Sequence, residues 1–65
     1  MIEEVGEFAG VVWRILAENG PMTLSALKRE SKGNDFMVHA AIGWLAREGK
    51  VESMKSGRGI KVGLK

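Results

Sequence analysis

The spacing of the apolar residues changes at Gly49. Before this residue the spacing is that of helices, whereas residues 60–65 alternate between apolar and polar or small side chains, the period of a β-strand. The turn-forming segment Ser56-Gly57-Arg58-Gly59 separates this strand from an earlier one that begins at Val51, so a hairpin is predicted. An isolated hairpin of this length is stable only when it packs on other elements. The sequence therefore predicts an α+β fold in which a C-terminal hairpin closes against helices.

The first helix is predicted over residues 3–19. It ends at Asn19-Gly20-Pro21, where glycine follows the last turn and proline cannot continue the helix. Its apolar residues cover an arc of about 200°, roughly twice the stripe that a surface helix needs to cover one core. Two buried surfaces are therefore predicted, one for the core and one, along the edge of Phe8, Val11 and Ile15, for the second subunit of a homodimer.

The middle of the chain predicts a helix-turn-helix. Thr23 is placed to cap a short second helix that ends near Ser31. In the turn that follows, Gly33 is expected to supply unusual backbone angles, and Asn34 or Asp35 to cap a third helix that runs to about residue 48. The order of three helices and a hairpin is that of a winged helix-turn-helix, with a three-helix core and the hairpin as the wing.

Length and composition exclude several classes of protein. Sixty-five residues predict a single domain over residues 1–65, and the absence of cysteine excludes disulfides and thiolate metal sites. There is no apolar run of membrane-spanning length, and the N-terminus is acidic, so a soluble cytoplasmic protein is expected. His39 lacks a second ligand at helical spacing, and no serine has a partner base. The sequence therefore predicts neither an enzyme nor a cofactor or metal site.

The charges are distributed unevenly along the chain. Residues 1–20 carry four acids against Arg14, a net charge of −3, whereas residues 21–65 carry nine lysines or arginines against four acids, a net charge of +5. Such a division suggests that the C-terminal part faces an anion. Simple solvation of a small protein's surface is the alternative reading of the same charges.

Double-stranded DNA is the anion that a winged helix-turn-helix suggests. In such proteins the outward face of the third helix enters the major groove, and cations on both sides of it contact phosphates. The third helix here carries few base-reading side chains, so weak sequence specificity is expected. Arg58, which lies between two glycines at the wing tip, is the strongest single candidate for a DNA contact, and it is expected to enter a minor groove. The predicted DNA-binding residues are Lys28, Arg29, Lys32, Asn34, His39, Arg47, Lys55, Arg58 and Lys61.

A protein partner for the third helix is the alternative function. Its outward face is apolar, and apolar patches on small soluble domains mark interaction sites. Gly43 costs about 1 kcal/mol relative to alanine in a helix interior, so either the first helix near Trp13 packs closely on it or a partner does. Joint exposure of its large apolar residues would favour a partner. The predicted partner surface is Phe36, Met37, Ala40, Gly43 and Trp44.

Two segments also resemble a known family. Residues 22–28, Met22-Thr23-Leu24-Ser25-Ala26-Leu27-Lys28, and residues 42–51 resemble short prokaryotic winged helix-turn-helix proteins of undetermined function. The most specific stretch is Gly43-Trp44-Leu45-Ala46-Arg47-Glu48-Gly49-Lys50. The resemblance covers nearly the whole chain and implies the winged-helix fold. It implies DNA binding by analogy, because winged helices also serve as protein-docking modules.

Overall fold

The structure, a computed structural model, describes residues 2–65. Three helices and a three-stranded antiparallel sheet form an α+β winged helix-turn-helix, which confirms the predicted fold. The strands lie in the order β1-β3-β2. In chain order the elements are α1 (Ile2–Asn19), β1 (Met22–Thr23), α2 (Leu24–Ser31), α3 (Asp35–Arg47), β2 (Val51–Ser56) and β3 (Gly59–Leu64).

Helix α1 ends where the sequence predicts. Gly20 adopts a φ of +78°, and its backbone N–H donates to the carbonyl oxygen of Leu16 at 2.9 Å, which closes the last turn. The buried residues of α1 recur at steps of three and four, the spacing of one helical face. They are Val5, Ala9, Val12 and Leu16. This face packs mainly on α3 and covers the core.

Side-chain caps set the start of α2 and α3. The Thr23 hydroxyl accepts the Ala26 backbone N–H at 3.2 Å, and the Asn34 amide oxygen accepts the Met37 backbone N–H at 2.8 Å. Each cap of this kind contributes about 1 kcal/mol, because it satisfies a helix N–H that has no carbonyl partner. Thr23 and Asn34 are therefore the N-caps, and Gly49, with a φ of +72°, follows the end of α3.

The prediction that Gly33 supplies unusual backbone angles in the turn is wrong. The left-handed residue of the turn between α2 and α3 is Lys32, with a φ of +58°, and Gly33 does not have a positive φ. Gly33 instead faces the ring of Phe8 in α1. A Cβ added at position 33 would overlap the Phe8 Cζ atom and lie 3.1 Å from both Cε atoms. Glycine is needed here for close approach of another side chain.

The wing packs on the helices at its base and extends beyond them at its tip. In the β2–β3 pair, Val51 lies opposite Leu64, and β1 joins β3 on the other side at Met22 and Val62. Val51 and Val62 are buried, whereas Ile60 near the tip is 57% exposed. The tip turns at Gly57, which has a φ of +60°. The hairpin's outer end is therefore free to contact another molecule.

Gly6 is the helical glycine of α1 on which a side chain of α3 packs. A Cβ at Gly6 would be 3.3 Å from Cζ2 of Trp44, so the indole of Trp44 packs on the α1 backbone. Gly43 is exposed, and a Cβ added there would meet nothing within 4 Å. The prediction that Gly43 packs closely against α1 is therefore wrong.

No helix within residues 2–65 has both the length and the apolar character that crossing a membrane requires.

Candidate nucleic-acid interface

The outward face of α3 is mostly apolar. Phe36 is 57% exposed, Gly43 is open, and Ala40 between them is half-buried. Asn34 was predicted to contact DNA, but its amide oxygen already accepts the backbone N–H of Met37. Its NH₂ group is the part left for another contact. This face of α3 therefore offers few polar groups for contact with another molecule.

Lys28 and Asp35 form an ion pair that joins α2 to α3. The Lys28 Nζ atom lies 3.0 Å from the Asp35 Oδ1 atom, and both side chains are largely exposed. They line an open cleft of about 490 Å³ between the two helices. Sequence reasoning missed this pair because the two residues are seven apart and belong to different helices. Lys28, a predicted phosphate contact, therefore carries its own counter-ion.

His39 is held by the backbone of its own helix. Its Nδ1 atom donates to the Asp35 carbonyl oxygen at 2.8 Å, and because a carbonyl can only accept, the proton lies on Nδ1. In the neutral ring Nε2 is then an acceptor, which suits the amino group of cytosine or adenine in a major groove. Together with the exposed Arg47 in the last turn, His39 supplies most of the polar chemistry of the outer face of α3.

Two further cations lie where α2 ends. Arg29 and Lys32 are both exposed, and the ion pairs formed among residues 2–65, Lys28–Asp35 and Lys50–Glu48, include neither of them. Lys32 projects from the left-handed C-cap position. These two side chains are therefore available to an external anion.

The wing cations do not share one face. Lys55 is paired with Ile60 in the β2–β3 register, whereas Lys61 lies one residue further and so projects from the opposite face, beside Met54. Lys61 is half-buried, whereas Lys55 and Arg58 are exposed. Arg58 occupies the turn itself. The structure therefore brings Lys55 and Arg58 together near the tip and separates Lys61 from them.

The alternative partner surface surrounds an open depression of about 520 Å³. The depression is lined by Ala40, Gly43, Trp44, Arg47 and Glu48. Phe36 lies one turn before Ala40 and is exposed, whereas Met37 and Trp44 are half-buried. None of the three large apolar residues is fully covered, so an apolar partner surface remains accessible on α3.

The predicted dimer edge of α1 is partly occupied within the chain. Phe8 and Ile15 are half-buried and pack against the core, and the Phe8 ring also covers Gly33. Val11 is half-buried. The large exposed residues of α1 lie elsewhere, at Ile2 and Trp13.

Within residues 2–65, no cluster of three or more histidine and carboxylate side chains is arranged to hold a metal ion.

Comparison with known proteins fits this architecture. A family model described as a winged helix-turn-helix domain (DUF2582) matches residues 1–64. The chain belongs to this family. It is 37% identical over 65 residues to the uncharacterized protein MJ1608 of Methanocaldococcus jannaschii, covering 95% of this chain and 91% of that protein. The predicted resemblance to a winged-helix family of undetermined function is thereby confirmed.

A solved structure shares the fold. The solution NMR structure of protein BT2368 from Bacteroides thetaiotaomicron superposes with a TM-score of 0.86 at 32% identity. The match covers 95% of this chain and 76% of that one.

Proposed function

We propose that this DUF2582 protein binds double-stranded DNA without catalysing a reaction, in a transcription-associated or architectural role. The observation that carries the proposal is a set of exposed cations on the two elements that adjoin α3. Arg29 and Lys32 at the end of α2, and Lys55 and Arg58 near the wing tip, have no carboxylate partner among residues 2–65. Cations placed in this way suit the phosphates that border a groove.

Affinity in this proposal comes from phosphates more than from bases. The face of α3 that would enter a major groove offers Phe36 and Gly43 where bidentate readers such as arginine and asparagine would be needed. His39 and Arg47 are the polar groups left there. We therefore expect weak discrimination between sequences and a strong dependence on salt, because each neutralised phosphate releases counterions.

The first test is the salt dependence of binding to a labelled random-sequence duplex, followed by fluorescence anisotropy from about 20 to 200 mM salt. Four phosphate contacts predict a slope of log affinity against log salt of about −3.6. Arg58→Ala is expected to make this slope shallower by about 0.9. Lys65→Ala removes the same charge at the other end of the hairpin and serves as the matched control. Equal effects of the two variants, or no binding at the lowest salt, would contradict the proposal.

Removing the internal counter-ion of Lys28 is expected to strengthen binding. Asp35→Asn takes away the carboxylate 3.0 Å from the lysine Nζ atom, so that Lys28 becomes free for a phosphate and a repelling charge is lost. We expect several-fold tighter binding and a slope steeper by about 0.9 in the same titration. Glu18→Gln makes the same change in net charge on α1 and should have a smaller effect. A variant that binds no more tightly than Glu18→Gln would show that Lys28 does not face DNA.

Docking of a protein on α3 is the second candidate function, favoured by the 57% exposure of Phe36. An apolar side chain of a partner would fit the depression over Gly43, where Arg47 and Glu48 supply the polar rim. The duplex titration separates the two functions. Absence of binding at every salt concentration would leave the cations as solvated surface and make this face of α3 the functional one.

A further inference from the structure

The side of α1 that points away from the core carries an unused surface. Gly6, Glu7, Gly10, Trp13 and Arg14 lie within about 60° of the direction of Gly10 around the helix axis. We call these five residues the Gly10 face. Trp13 is 43% exposed, and Glu7, Gly10 and Arg14 are exposed. Apart from Gly6, on which the indole of Trp44 packs, the fold, the wing and the proposed DNA contacts do not use this face.

Gly10 has no explanation within the monomer. Glycine is the least favourable residue in a helix interior apart from proline. At Gly6 the indole of Trp44 lies 3.3 Å from the position of a Cβ, which accounts for that glycine. At Gly10 a Cβ would meet nothing within 4 Å, and φ is not positive. The absence of a side chain would be useful here if another backbone approached from outside.

We propose that a second copy of this chain docks on the Gly10 face, with the two α1 helices antiparallel and a two-fold axis beside Gly10. The inference is independent of DNA binding. Such an axis places a residue that follows Gly10 in one copy beside the residue of the second copy that precedes Gly10 by the same number of positions. It also keeps the corresponding edges of the two helices on the same side of the interface. At 1.5 Å per residue, Trp13 then lies at about the height of Gly6 of the second copy, where the indole of Trp44 covers the α1 backbone. Trp13 of one copy thus meets the half-buried Trp44 ring of the other, beside Gly6.

Charge complementarity selects a second α1 as the occupant. Arg14 is the one lysine or arginine in an otherwise acidic helix, and it lies on the Gly10 face. Glu7 precedes Gly10 by three residues and Arg14 follows it by four, so the antiparallel arrangement places them on the same edge and within about 1.5 Å of the same height. Two symmetric Glu7–Arg14 pairs would form per dimer. Neither residue belongs to an ion pair within residues 2–65 of the monomer.

The opposite edge of the same face supplies apolar surface. Four large hydrophobic residues are exposed within residues 2–65, and two of them, Ile2 at 72% and Trp13 at 43%, belong to this edge of α1. In the proposed dimer Ile2 comes near Ala17 of the second copy, which is also exposed. The interface therefore has an apolar edge and a charged edge, and each edge matches its own copy.

The test is sedimentation equilibrium of the full chain from about 5 to 200 µM, with charge-exchange variants. We expect the mass to rise from 7.1 kDa towards twice that value with concentration. Glu7→Arg and Arg14→Glu should each raise the dimer dissociation constant about tenfold or more, because each places like charges together at two symmetric positions. The double variant E7R/R14E should recover the wild-type constant, since the pairs are restored with exchanged sign. Failure of the double variant to recover would overturn the proposal.

A second pair of variants tests the close approach. Gly10→Gln places a long polar side chain between the helices and should abolish the dimer, whereas Gly43→Gln makes the same exchange in the middle of α3, in equally open space, and should leave the mass unchanged. Both variants should be as helical as the wild type by circular dichroism. A 7.1 kDa species at all concentrations would overturn the proposal. So would a dimer that survives Gly10→Gln and dissociates with Val11→Glu, which would assign the interface to the edge of Phe8, Val11 and Ile15.

Discussion

Replacing Leu27 with alanine is expected to lower the free energy of unfolding by about 3 kcal/mol. Leu27 is the fully buried residue of α2, at 0% exposure, and it belongs to the cluster that joins all three helices to the sheet. The loss combines the transfer free energy of the missing methyl groups with the cost of the cavity that they leave. Because the core of a domain this small supplies roughly 3–5 kcal/mol in total, the variant should be close to unfolding at room temperature.

Thermal unfolding followed by circular dichroism would measure this loss. We expect a decrease in Tm of about 12–24 °C, since 1 kcal/mol corresponds to roughly 4–8 °C in a domain of this length. Leu24→Ala, on the same helix at a half-buried position, is the matched control and should lose less than half as much. A Leu27 variant no less stable than the Leu24 variant would mean that Leu27 is not buried in the core as the structure has it.

The sequence allowed the elements to be predicted because their signals are local. The stop at Gly20, the caps at Thr23 and Asn34 and the end at Gly49 each depend on backbone groups within a few residues. Strand pairing at the wing was also predictable, because a two-residue turn fixes the register on its own. Such features need no knowledge of how the helices pack.

Contacts between distant segments could not be predicted in the same way. The three errors or omissions concern Gly33, Gly43 and the Lys28–Asp35 pair, and each depends on which helix faces which. Glycine in a turn suggests a positive φ, and glycine in a helix suggests close packing. Both rules describe what is common among proteins and do not fix the role of one particular glycine. In this chain the close approach to α3 occurs at Gly6, where Trp44 rests, and the left-handed residue is a lysine.

The candidate site was predicted as a set of residues, and the structure divides that set. Lys55 and Arg58 come together at the wing tip, Lys61 projects from the other face of the hairpin, and Lys28 is paired with a carboxylate. Side-chain alternation along β3 would have separated Lys55 from Lys61 once the register was known. The Gly10 face had a sequence signal as well, since Gly6, Gly10 and Trp13 recur at helical spacing.

Gly33→Ala is expected to destabilise the protein by about 2 kcal/mol, because the added Cβ overlaps the tip of the Phe8 ring and forces a half-buried aromatic side chain to move. Lys32→Gly should instead stabilise it by about 0.5–1 kcal/mol, since it removes a left-handed lysine from the neighbouring position. Two adjacent substitutions, one adding and one removing a side chain, are thus predicted to act in opposite directions. Urea unfolding of both variants would measure the two effects.

A double-mutant cycle shows whether Phe8 is the cause. In a Phe8→Leu background the aromatic ring no longer reaches Gly33, so Gly33→Ala should cost well under half of its value in the wild-type chain, a coupling of about 1 kcal/mol or more. If Gly33 were required for its backbone angles, the cost of alanine would be the same with or without the ring, and Lys32→Gly would bring no gain. The cycle therefore distinguishes a glycine that is required because a side chain of α1 packs on it from one that is required for its own φ.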